Sequence, residues 1–213
     1  MRTILFQGDS ITDCRRDRDR EAEVNMPWHL GYGYANMISS RLLLNDPGAE
    51  YRCINRGISG NRVVDLYARW KVDALNFRPD VISILIGVND VWHEFSSQNG
   101  VENDRFEEVY RMLLNWTKQV LPDVKLLIME PFALLSDVVD EAFLAEVKER
   151  AKVAAKLASE FNAVYLPLQD KLDAAAQIAP NSYWLFDGVH PTAAGNQLIA
   201  DAWLAAAKPL LED

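Results

Sequence analysis

Five short apolar runs rich in β-branched residues, separated by longer stretches of helical period, restrict this chain more than any other feature of it. They are Thr3–Gln7, Tyr51–Asn55, Val81–Ile86, Val124–Met129 and Ala163–Leu166. Short apolar runs alternating with helical segments are the pattern of a parallel sheet covered on both faces. Between the runs, Val63, Leu66, Tyr67 and Trp70 recur at helical spacing, as do Phe106, Val109, Tyr110, Leu113 and Leu114. An alanine-rich stretch from Asp140 to Phe161 reads as the fourth crossover helix, with Glu146, Arg150, Glu149 and Lys152 as solvated charge. Pro191 is expected to start a final helix, because proline has no N–H to lose in the first turn. Right-handed crossovers then give an α/β fold: a three-layer α/β/α sandwich with a five-stranded parallel sheet in the flavodoxin-like order 2-1-3-4-5. With 213 residues, one domain spanning 1–213 is expected.

In such a sheet the ligand crevice lies beyond the carboxyl ends of the strands, near the point where strand order reverses. Gly8-Asp9-Ser10-Ile11-Thr12-Asp13 follows the first strand, Gly57-Ile58-Ser59-Gly60-Asn61 the second, and Gly87-Val88-Asn89-Asp90 the third. Asp187-Gly188-Val189-His190-Pro191 follows the fifth after a short helix and loop. Together these loops hold the groups that acyl transfer needs. A serine hydroxyl attacks only when a base takes its proton, the base must be held in one tautomer, and the oxyanion needs donors placed in advance. Ser10 is the expected nucleophile, His190 the base and Asp187 its orienting acid, three residues away and within one turn. The Ser10 and Gly60 N–H groups and the Asn89 amide are the expected oxyanion donors. Taken singly, each residue has a plainer reading: a turn serine, a bend glycine, a helix cap, a capped and partly buried histidine. The ordered set carries the reading.

The chain has three histidines. His29 has no acid near it and reads as a packing or surface residue. His93, in Asp90-Val91-Trp92-His93, repeats the acid-to-histidine spacing and is a candidate substrate contact. A metal site from Asp9, Asp90 and His93 lacks a zinc-type ligand pattern, so no metal is expected. Asp9 and Asp13 would repel a phosphate in the first loop, and Ser10 lies in no G-x-S-x-G elbow. The formal charge of -9 disfavours nucleic acid and anionic membranes as partners. The opening MRTILFQGDS resembles a buried strand and turn rather than an export signal, and Cys14 and Cys53 form no metal or disulfide motif, so a cytoplasmic setting is expected.

FQGDSITD, NRGISGN, IGVND and DGVHP, in that order, resemble the four blocks of the SGNH, or GDSL-type, hydrolases. The resemblance implies Ser10 as nucleophile and first oxyanion donor, Gly60 and Asn89 as the other donors, and His190 with Asp187 as base and acid, without a cofactor. Val88 stands where many members have a second glycine. More narrowly, NRGISGNRVVDLYARW, IGVNDVW and DGVHPTAAG resemble the intracellular bacterial acetylxylan esterases of that family, which deacetylate xylo-oligosaccharides. A small acetylated carbohydrate is thus the implied substrate, with Trp92, Trp184, Trp28 and Tyr183 as candidate sugar-stacking faces. Arg62 and, beside the nucleophile, Asp9 are further candidate contacts. The resemblance also implies a homo-oligomer, with the segment Trp92–Asp104 as an interface loop. A thioester, a short-chain lipid ester or a lysophospholipid fits the same triad, and a sugar- or nucleotide-binding module without turnover fits the same fold.

Overall fold

The computed structural model describes residues 1–212. Its strands are β1 (Arg2–Gly8), β2 (Tyr51–Asn55), β3 (Val81–Leu85), β4 (Lys125–Met129) and β5 (Val164–Leu166). Short helices α1 (Ser10–Asp13) and α2 (Pro27–Leu30) and the crossover helix α3 (Tyr34–Asn45) lie between β1 and β2. Helix α4 (Val63–Asp73) joins β2 to β3, α5 (Val88–Ser97) and α6 (Asn103–Val120) join β3 to β4, and α7 (Glu141–Glu160) joins β4 to β5. Short helices α8 (Gln169–Ala176) and α9 (Asn181–Trp184) and the closing helix α10 (Ala193–Leu211) complete the chain. All strand pairs are parallel and the order is β2-β1-β3-β4-β5, as the apolar runs predict.

Period-two alternation sorts the strand side chains into two cores. Ile4, Phe6, Leu127 and Met129 face α3 and α10, whereas Leu5, Ile82, Ile84 and Ile128 face α4 and α6. On the first face Phe6 meets the rings of Tyr34 and Trp203 at 6.0 and 5.6 Å. Ser83, the one hydroxyl in its strand, accepts the Trp203 indole N–H at 2.9 Å, so a buried polar atom there is satisfied. On the second face the Trp70 indole donates to Thr117 Oγ1 at 2.8 Å. Helix α7 serves both cores, giving Phe143 and Val147 to the first and Val153, Ala154 and Leu157 to the second.

Three expectations are corrected. Pro191 precedes α10 rather than opening it: it forms a bridge with Leu185, and Thr192 caps the helix through the Gly195 N–H. Arg150 is not a solvated charge, since its guanidinium is buried and donates to the Val101 carbonyl at 2.8 Å. The Trp92–Asp104 segment is mostly helix, because α5 runs to Ser97 and α6 begins at Asn103, which leaves only residues 98–102 as loop. Among the described residues, no helix is long and apolar enough to cross a membrane.

His29 lies in α2 and is wholly buried, with neither ring nitrogen hydrogen-bonded among the described residues. Burial, with the Arg16 and Arg56 charges nearby outweighing Glu21, pushes it down to about 4. The unfolded chain therefore takes up this proton first, near pH 6.5, and stability is lost as pH falls from there towards the folded value. His29→Leu removes the titration. Between pH 7.5 and 5 the variant is expected to lose about 2 kcal/mol less than the wild type in urea unfolding, and equal losses would contradict the assignment.

Candidate active site

The first, second and third strands end in loops that meet the Asp187–Pro191 turn at one cleft. Asp9 caps α1, its carboxylate accepting the Ile11 N–H at 3.0 Å, and this places Ser10 as the first residue of that helix. Ser10 Oγ lies 2.8 Å from His190 Nε2, and His190 Nδ1 lies 2.7 Å from Asp187 Oδ2. The other carboxylate oxygen, Oδ1, accepts the Val189 and His190 N–H groups at 3.0 and 2.7 Å. One aspartate thus forms the turn and orients the ring. Gly188 makes this turn passable: its φ is +88°, and a Cβ would sit 2.4 Å from the Leu134 carbonyl oxygen. Burial raises the Asp187 carboxyl, but the hydrogen bonds from the His190 and Val189 backbone and the His190 ring outweigh it and hold it below the usual carboxylate range. It stays charged at neutral pH.

Three residues with donors to offer, Ser10, Gly60 and Asn89, line the same part of the cleft. The Ser10 N–H opens α1 and the Gly60 N–H lies in a turn at φ +82°, and neither has an acceptor among the described residues. Gly60 is required for its backbone conformation rather than for room, because the nearest atom to an added Cβ is His93 Nε2 at 4.0 Å. The Asn89 amide donates one N–H to the Asn61 carbonyl at 3.2 Å and keeps the second for the cleft. Asn89 lies within α5, with Gly87 as the N-cap, so it is not a cap.

The cleft has two lobes that share Ser10, Ser59 and His190. One, of about 510 Å³, is walled by Arg15, Tyr32 and Phe186, and the other, of about 440 Å³, by Gly60, Asn89, Trp92 and His93. Phe186 is 63% exposed and stacks on the His190 ring at 5.6 Å and 20°, while the Trp92 ring lies 5.9 Å from it on a tilt.

The other expected contacts fall outside these walls. Asp9 is fully buried, and burial pushes its carboxyl up to about 7. Arg62 spends its guanidinium on Asp65 and on Asn99, at 3.0 and 2.7 Å. Trp184 packs against the first core with its indole nitrogen enclosed, edge-on to Tyr183. Trp28 donates to Glu23 and stacks under the Arg20 guanidinium, 3.9 Å away. Phe186 and Ser136, whose hydroxyl donates to the Asp187 carbonyl at 2.7 Å, were not foreseen from the sequence. An exposed aromatic next to Asp187 was the available signal for the first, and the second carried none.

The model of the GDSL-like lipase/acylhydrolase family matches residues 6–198. The chain belongs to this family. As a GDSL-like acylhydrolase it is a carboxylic ester hydrolase. It is 34% identical over 205 residues to the acetylxylan esterase of Geobacillus stearothermophilus, covering 94% of this chain and 91% of that protein. The crystal structure of that esterase superposes with a TM-score of 0.88 at 33% identity, over 97% and 94% of the two chains. Its serine, histidine and aspartate variants have been solved as catalytic mutants. A candidate GDSL-like lipase from Parabacteroides merdae superposes with a TM-score of 0.94 at 42% identity, over 98% and 96%.

Proposed function

We propose that this GDSL-like hydrolase removes O-acetyl groups from short carbohydrates, with xylo-oligosaccharides as the substrate class, through an acetyl-Ser10 intermediate. The observation that carries the mechanism is the continuous Ser10–His190–Asp187 chain, with links of 2.8 and 2.7 Å, beside three convergent donors. His190 Nε2 takes the Ser10 proton as Oγ attacks the ester carbonyl. The oxyanion is met by the Ser10 and Gly60 N–H groups and the Asn89 amide. As the tetrahedral centre collapses, His190 returns the proton to the departing sugar hydroxyl, leaving acetyl-Ser10. Water, deprotonated by His190, then attacks that ester by the same route and releases acetate. Asp187 stays ionised and holds the ring in the tautomer that leaves Nε2 free.

The sugar reading is supported by the aromatic walls of Trp92, Phe186 and Tyr32, flat apolar faces on which a pyranose packs, and by similarity to an acetylxylan esterase. It treats residues 1–213 as one hydrolase domain acting on a small diffusible substrate. The test is a rate comparison across p-nitrophenyl acetate, butyrate and octanoate and across acetylated xylo-oligosaccharides. Acetyl esters are expected to turn over about 10-fold or more faster than butyryl esters, since one or two unaccommodated methylenes cost this much. During turnover an acetyl adduct is expected on the peptide holding Ser10. Rates that rise with chain length would replace this reading with a lipid esterase.

A further inference from the structure

The three oxyanion donors sit on three separate elements, the start of α1, the Gly60 turn and α5, and their mutual placement to within a few tenths of an ångström is what makes them useful. One side chain outside the cleft holds the first two directly and the third through Asn61. Arg69, on α4, donates from Nε to Asn61 Oδ1 at 2.7 Å and from Nη1 to the Arg56 carbonyl at 2.9 Å. Its Nη2 donates to the Gly8 carbonyl at 3.3 Å, two residues before Ser10. Asp73, one turn along α4, anchors the guanidinium by accepting from Nη1 at 3.0 Å, and the two side chains are only 13% and 8% exposed. Asn61 is the neighbour of Gly60, and its own carbonyl takes the Asn89 amide. The guanidinium therefore ties the exit of β1, the exit of β2, the Gly60 turn and, through Asn61, the amide on α5.

We propose that Arg69 is the positioning residue of the oxyanion hole, acting through Asn61 to set Gly60 and Asn89 against the Ser10 N–H. This rests on the reading above that these three groups are the oxyanion donors. The planar fork matters: three carbonyl-type acceptors in fixed directions suit a guanidinium and not the single ammonium of a lysine. Acylation and deacylation both build negative charge in the same hole, so displaced donors slow both steps together and leave KM where it was.

The test uses Arg69→Met, Arg69→Lys, Asn61→Ala and Asn61→Asp in the full chain, with p-nitrophenyl acetate. Arg69→Met and Asn61→Ala are expected to lower kcat by roughly 10- to 100-fold with KM held within about twofold. Arg69→Lys is expected to fall with Arg69→Met, and Asn61→Asp, which keeps an acceptor for the guanidinium, to recover most of the loss seen in Asn61→Ala. Affinity for phenylboronic acid, whose tetrahedral adduct places an oxygen in the hole, is expected to weaken in step with kcat. Folded Arg69→Met and Asn61→Ala proteins with unchanged kcat, or with losses confined to KM, would overturn the assignment. If Arg69→Met does not fold, the Asn61 pair decides alone by the same criteria. A Ser10→Ala protein that kept the wild-type rate would instead overturn the underlying esterase mechanism, and Arg69's role with it.

Discussion

Ser10→Ala is expected to hydrolyse p-nitrophenyl acetate with a kcat about 10⁵- to 10⁶-fold below wild type, the scale of loss when a serine hydrolase is left without its nucleophile. Among the described residues the hydroxyl's one hydrogen bond is to His190, and the cap of α1 is supplied by Asp9 rather than by Ser10. The thermal midpoint is thus expected to stay within about 2 °C of wild type, as for other substitutions that remove no cap, core contact or buried pair. Steady-state rates and a melting curve on the same preparation check both halves. A residual rate within about tenfold of wild type would mean that the chemistry does not pass through this oxygen.

Asp187→Asn is expected to cost about 10⁴-fold in kcat while leaving KM nearly unchanged. The asparagine carbonyl can still accept the Val189 and His190 N–H groups that Oδ1 now takes, so the turn survives. Its amide, however, presents N–H to Nδ1 where Oδ2 now accepts, which drives the ring proton to Nε2. Nε2 then faces Ser10 as a donor and cannot take its proton. The substitution also has a signature in stability. A carboxyl held below its ordinary value stabilises the fold at pH above about 3.9, and the gain is lost as pH falls through the lower folded value. The difference in stability between wild type and Asp187→Asn is therefore expected to narrow in acid, as read by urea unfolding at pH 7 and pH 3. A variant retaining more than about one tenth of wild-type kcat would remove Asp187 from its role.

The sheet was legible because its information is local. Runs such as Val81–Ile86 need burial on both sides, and the loops that follow them carry the chemistry in chain order. Helix α3 was harder to see. Tyr34, Ala35, Ile38 and Leu42 keep helical spacing, but the polar Asn36, Ser39 and Ser40 blur the contrast between its faces. The start of α10 was displaced because Pro191 is suited to a first turn, while the bridge to Leu185 holds it outside the helix and Thr192 provides the cap. At the site, the meeting of Ser10, Asn89, Asp187 and His190 at one cleft was readable because acyl transfer asks for these residue types at the ends of successive strands. The placements of Arg62 and Trp184 were not, because a guanidinium or an indole offers the same contacts to a sugar, to Asn99 or to the core. Arg69 lay beyond sequence reasoning for the same cause, since its role depends on two backbone carbonyl oxygens that carry no residue identity and on one amide oxygen, of Asn61, that only the fold brings to it.

The hydroxyl of Ser10 and the imidazole of His190 touch across 180 positions of chain. During synthesis the serine leaves the ribosome well before the histidine, and the strands and crossovers between them must be in place before the two meet. Hydrolytic power is thus withheld from every partly made or partly assembled form. A chain that has not yet closed this contact cannot hydrolyse esters around it, and the onset of esterase activity in a refolding or translation mixture times the closure of the entire sheet rather than of any one part.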